Sequence, residues 1–197
     1  NYHYIVPELE AGQSFKLSGS KVFDEFSEAK AAGFKTRPVL IGPMTFLLLA
    51  RKTAGFADCR CTLVPGLTAV YGEILKKLQS LGATDVQIDE PALTLDLEPR
   101  YRDAYQSAYK TLVAAAPGLR IMLATYFGGL EDNAELAASL PVAGLHIDLC
   151  RAPAQLDAVL KALPADKTLS LGVVDGRNIW KNDLTKSLDL IDKAVKA

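Results

Sequence analysis

Six short apolar segments alternate along the chain with stretches of helical periodicity, and that alternation constrains the fold more than any single residue does. The segments run 2–6, 38–41, 85–89, 121–126, 145–149 and 169–174, each rich in β-branched or aromatic residues and each ending in Gly, Pro or a polar group. Several are continuous apolar runs, the pattern expected of strands covered on both faces. Between them, Val70, Tyr71, Ile74, Leu75, Leu78 and Leu81 form an i, i+3, i+4, i+7 stripe that stops at Gly82, a natural left-handed C′ residue. Pro99 stands where a first helical turn tolerates proline, with Tyr101, Tyr105, Tyr109 and Leu112 following on one face. Two shorter helices are expected over 130–140 and 153–163. A last one carries Leu184, Leu188, Ile191 and Val195, capped by Asp183 or Asn182.

Strand and helix in alternation mean α/β with parallel strands and right-handed crossovers. No GxGxxG follows a strand and no GxxxxGK[ST] occurs, so the phosphate-cradling signatures of doubly wound folds are missing. The weight moves to a TIM-type (βα)8 barrel, whose site is built by side chains at the carboxyl ends of its strands. Such a barrel needs eight units and about six are legible. With no Ser/Gly linker or low-complexity tract, residues 1–197 read as a single domain.

Composition excludes several classes. The chain is 49% hydrophobic and 23% charged with a formal net charge of −1, so neither nucleic acid nor an acidic tail is indicated. The run MTFLLLA from Met44 falls far short of the ~20 residues of a membrane span and reads as the start of a buried helix. Cys59, Cys61 and Cys150 match no redox or zinc spacing, and reduced cysteines in a cytoplasmic protein are expected. The opening NYHYIV has neither a signal peptide nor a methionine and starts inside a strand-like segment, which suggests a piece of something longer.

At the expected strand ends polar groups gather. The first offers Pro7 and Glu8, the second Gly42, Pro43 and Thr45, the third Asp89 and Glu90. The fourth gives Thr125, Tyr126 and Phe127; the fifth His146, Asp148, Cys150 and Arg151; the sixth Asp175, Gly176, Arg177 and Asn178. Carboxylates around one mouth can bind a cation, orient a substrate amine, or divide into acid and base. Each can also serve a turn or a helix cap, as DGRN at Asp175 suggests more strongly than the context of Asp89 does. His3 and His146 suit satisfied core positions. The H-x-D-x-C face of His146, Asp148 and Cys150 cannot hold one metal ion, because i and i+4 on a strand lie about 13 Å apart.

NYHYIVPEL, PVLIGPMTFLLLAR, VQIDEPAL, TYFGG, GLHIDLCR and LSLGVVDGRNIW, in this order and spacing, closely resemble the amino-terminal half of cobalamin-independent methionine synthases. The resemblance covers essentially the whole chain. It implies strands three to eight of the first of two (βα)8 barrels. It also implies an enzyme that moves a methyl group from 5-methyltetrahydrofolate polyglutamate to homocysteine to form methionine. Zinc, held by His, Cys, Glu and Cys, belongs to the carboxyl-terminal barrel. Aligning this chain with that barrel through the shared IDEPAL places those ligand positions near Leu123, near Thr125, at Asp148 and near Asp175, so no metal and no other cofactor is expected here. The resemblance transfers no catalytic residue. Asp89, Glu90, Tyr126, Asp148, Asp175, Arg177 and Asn178 are the candidate substrate-facing residues of the mouth, with Asp89 bonded to neighbouring loops and Glu90 more solvated. The piece is expected to be inactive alone, to support folate binding and the catalytic barrel, to touch no nucleic acid or membrane, and to self-associate through its open edges. The alternative is a free-standing barrel hydrolase, using Asp89 or Glu90 with Asp148 or Asp175.

Overall fold

A computed structural model describes residues 6–53 and 60–197. The expected strand at 2–6 and the Cys59 of the CRC pair fall almost wholly outside these residues. The remaining five expected strands are present as β2 (Val39–Ile41), β4 (Asp85–Asp89), β5 (Arg120–Ala124), β6 (Gly144–Asp148) and β7 (Thr168–Gly172). They form one all-parallel sheet in the order β2-β4-β5-β6-β7. A second, two-stranded parallel pair joins β1 (Glu8–Leu9) to β3 (Arg51–Lys52).

Helices α2 (Pro43–Leu49), α3 (Arg60–Ser80), α4 (Pro99–Ala115), α5 (Ala134–Ser139) and α6 (Gln155–Ala162) fill the connections, with α1 (Lys21–Ala31) before β2 and α7 (Leu184–Lys196) after β7. The end signals work as chemistry dictates. Gly82 follows α3 at φ +95°, where a side chain would be strained. Pro99 opens α4, and the Asp183 carboxylate accepts the Lys186 N–H at the start of α7. Helix α3 begins earlier than its apolar stripe, and Pro65 lies within it. The Val64 carbonyl beside that proline accepts the Thr68 hydroxyl at 2.8 Å.

Among the described residues only one face of the strands is fully covered, where their apolar runs led to an expectation of two. Val86, Ile88, Ile121, Leu123, Leu145 and Ile147 point to one side and are buried with the apolar faces of α3, α4 and α5 in a single core. On the other side Gln87, Asp89, Met122, His146, Asp148 and Ser170 are only half-buried, while Val39 and Ile41 are exposed. The alternation of a strand therefore sorts this sheet into an apolar back and a largely polar front. None of the described helices is long and apolar enough to cross a membrane.

Candidate functional site

Successive residues of a strand face opposite ways, and the pair Asp89–Glu90 at the end of β4 shows it. Glu90 goes to the back and is completely buried, contrary to the solvated position expected of it. Its Oε1 accepts the Met44 N–H at 3.1 Å and the Tyr109 hydroxyl at 3.1 Å. Its Oε2 accepts the Thr45 N–H at 2.7 Å, the Thr45 hydroxyl at 2.6 Å and the Tyr105 hydroxyl at 3.2 Å. Five donors are what make a buried carboxylate tolerable. Burial still outweighs them and pushes its pKa up to about 7. Burial, and then the Glu90 charge, raise the Tyr71, Tyr105 and Tyr109 hydroxyls in turn. The niche exists because residue 42 is glycine: a Cβ there would stand 2.0 Å from the Glu90 Cδ.

Asp89 goes to the front. Its oxygens accept the Gln87 amide at 2.8 Å and the Tyr126 hydroxyl at 3.0 Å. The Tyr126 pKa is raised, first by its burial and then by the Asp89 charge. Asp148 binds the loop after its own strand and the loop after β5. Oδ1 accepts the N–H groups of Cys150 and Arg151, both at 3.0 Å, and Oδ2 accepts that of Phe127 at 3.2 Å. Asp175 holds the expected turn, accepting the Arg177 N–H at 3.0 Å and the Asn178 amide at 2.8 Å. These two donors, in that order, hold its carboxyl below the usual range. His146 reaches Ser170 at 2.9 Å on the neighbouring strand, and burial lowers its pKa.

Tyr126, Asp148, Asp175 and Arg177 line one cleft of about 250 Å³. Asp89 joins it through the Tyr126 hydroxyl, and Asn178 through Asp175. Glu90 stands behind the sheet. Sequence reasoning missed the Glu90 network of Thr45, Tyr105 and Tyr109, although two tyrosines at i, i+4 on a core-facing stripe signal hydroxyls in need of an acceptor. It also missed Phe127 as a shaped element: its backbone sits at φ +78°, the residue is 58% exposed, and its ring meets the Tyr126 ring edge-on at 4.7 Å.

The positions aligned with zinc ligands do not fit that ion. Leu123 is buried in the core and the Thr125 hydroxyl donates to the His146 carbonyl at 2.9 Å, leaving two carboxylates already engaged by backbone N–H groups. Among the described residues no group of three or more His, Cys, Asp or Glu is placed to hold a metal ion.

Comparison with known proteins bears on the whole chain. It is 53% identical over 196 residues to the 5-methyltetrahydropteroyltriglutamate–homocysteine methyltransferase of Rhodopseudomonas palustris, covering 100% of this chain and 25% of the relative. The protein of the same name from Mesorhizobium japonicum is 56% identical over 196 residues, with 99% and 25% covered. The chain thus spans about a quarter of the length of these relatives. Among solved structures, a B12-independent methionine synthase from Shewanella superposes with a TM-score of 0.73 at 16% identity, covering 97% of this chain and 59% of that one. A methyltransferase from Methanosarcina mazei gives 0.63 at 12%, covering 89% and 54%. At such identities these two speak for the fold alone. The family model described as the N-terminal domain of cobalamin-independent synthase matches residues 1–197, and the chain belongs to that family.

Proposed function

We propose that this chain is part of the first (βα)8 barrel of an enzyme that carries a methyl group from 5-methyltetrahydropteroyltriglutamate to homocysteine, forming methionine in the cytoplasm. Residues 1–197 act as one domain, contributing the later strands of that barrel, and the polar front of the sheet is the barrel's interior. The observation that carries this reading is similarity above 50% identity running the whole length of the chain to relatives that bear that reaction in their names. The chain's own part is support: it shapes the strand-end mouth toward the folate and braces the remaining three-quarters of the polypeptide, where zinc activates the thiol. Asp89, Tyr126, Asp148, Asp175, Arg177 and Asn178 belong to that mouth, while Glu90 holds the frame from behind. The engagement of Asp89 and Asp148 by protein donors favours this over the hydrolase, which needs two carboxyls about 5–9.5 Å apart flanking a bond to be cut.

Methionine formation from the folate and homocysteine tests the reading directly. A polypeptide extended to the relatives' length is expected to turn over, and the 197-residue chain alone is not. Turnover by the chain alone, or an extended protein that makes no methionine, overturns the assignment. The exposed edge residues Val39 and Ile41 further lead us to expect self-association of the isolated chain, and a stable monomer in sedimentation velocity contradicts it.

A further inference from the structure

The cleft at the ends of β5, β6 and β7 is bordered by Asp148, Arg151, Asp175 and Arg177. Among the described residues no hydrogen bond or ion pair engages either guanidinium group; that of Arg177 lies over the Phe127 ring, 5.7 Å from its centroid. The carboxylates retain capacity. Asp148 Oδ2 and both Asp175 oxygens accept one donor each, where a carboxylate oxygen accepts two. The cleft's formal charges therefore cancel in sum while remaining separated in space.

Two features narrow the ligand. At about 250 Å³ the cleft is smaller than the ~300–1,000 Å³ of pockets that take drug-sized molecules. It suits something the size of an amino acid. A polyanion such as a glutamate tail would meet Arg151 and Arg177 but bring no cation to Asp148 and Asp175, so the balance of charges favours a ligand carrying both signs. Phe127 supplies the apolar wall, with Val174 beside it, 64% exposed. Phe127 stands in the left-handed region, which side chains other than glycine's rarely adopt, and the Asp148 carboxylate maintains it there by accepting its N–H.

We propose that this cleft binds one free α-amino acid with an apolar side chain. Its carboxylate lies between Arg151 and Arg177, its ammonium takes the open lone pairs of Asp148 and Asp175, and its side chain lies along Phe127 and Val174. This deepens the reading of the strand-end mouth as substrate-facing and rests on it. Separated charges of both signs select the zwitterion, because either half of it alone leaves one pair of charged groups without a partner.

Calorimetric titration of the 197-residue chain with L-methionine tests the assignment. The controls are 3-(methylthio)propionate, which lacks the ammonium, 3-(methylthio)propylamine, which lacks the carboxylate, and tri-γ-glutamate. Each half-analogue is expected to bind about tenfold more weakly or worse than methionine, the loss of one charge-assisted contact pair. Arg177→Met and Asp175→Asn, both at exposed positions outside the core, are expected to lose a similar factor. Half-analogues that bind as well as methionine, variants that bind like the parent, or no methionine binding at tens of millimolar overturn it. Tri-γ-glutamate binding in place of methionine overturns the amino-acid assignment and leaves the folate reading intact. Methionine binding to this chain when an extended protein fails to turn over leaves the cleft assigned and removes the methyltransfer reading.

Discussion

Gly42→Ala offers the sharpest test of how the β4 end is built. Residue 42 has φ −73° and ψ 147°, which alanine adopts without strain, so its backbone gives the substitution no reason to hurt. The added methyl, however, would stand 2.0 Å from Glu90 Cδ and 2.2 Å from Oε1. The carboxylate is fully buried and held by two tyrosine hydroxyls, so it has nowhere to retreat. Displacing it costs about 1–3 kcal/mol for overpacking and about 1–3 for each buried donor left unpaired. With the Met44 and Thr45 N–H groups both orphaned, roughly 4 kcal/mol is expected. That is a large share of the ~5–15 kcal/mol typical of a domain and corresponds to a melting point lower by roughly 10 °C. Urea unfolding followed by far-ultraviolet circular dichroism measures it, with Gly176→Ala as control, since a Cβ at Gly176 meets nothing within 4 Å. Glu90→Ala combined with Gly42→Ala should cost less than the two separate losses together, by about 2 kcal/mol. A Gly42→Ala protein within about 1 kcal/mol of the parent, or strict additivity in the cycle, refutes the placement of Glu90 in this niche.

Other outcomes follow from the same geometry. Burial raises the Glu90 pKa to about 7 in the fold against an ordinary 4.5, so between those values the folded chain keeps a proton that the unfolded chain has lost. Its contribution to stability is therefore greatest below pH 4.5 and declines as pH rises toward 7, by at most about 1.4 kcal/mol per pH unit. The stability difference between parent and Glu90→Gln should shift over that window, and a pH-independent difference contradicts this. Tyr126→Phe removes the hydroxyl bonded to Asp89 and should cost about 1 kcal/mol in urea unfolding; no change means that bond contributes nothing. Lys167 donates to the Ala138 and Leu140 carbonyls at the end of α5, so Lys167→Met should cost about 1–2 kcal/mol and speed amide exchange around the end of α5. Unaltered exchange there speaks against the cap.

The sequence was legible where a local pattern carries its own explanation. The strand at 85–89 has the expected bounds, and Gly82, Pro99 and Asp183 punctuate helices as their chemistry requires. Helix α1 escaped notice because only Phe23 and Phe26 of its eleven residues are buried, too thin a stripe for periodicity to register. The two-residue strands β1 and β3 are shorter than any alternation can reveal. Glu90 was misjudged for another reason. Its donors come from positions 44, 45, 105 and 109, and nothing local to residue 90 distinguishes a carboxylate that will meet five donors from one that will meet water. The front cleft fared better, because the rule that strand ends converge on one mouth places Tyr126, Asp148, Asp175 and Arg177 together before any distance is known.

The opposite orientation of Asp89 and Glu90 has a consequence for inheritance. What reads as one motif, IDEP, is two unrelated obligations printed on adjacent letters: one owed to the buried frame, the other to Gln87 and Tyr126 on the front of the sheet. A descendant copy of such a sheet can abandon the second obligation and keep the first, since Glu90 answers to Thr45 and two tyrosines that never see the front of the sheet. Retention of the motif in two copies then testifies to shared architecture, and says nothing by itself about shared chemistry.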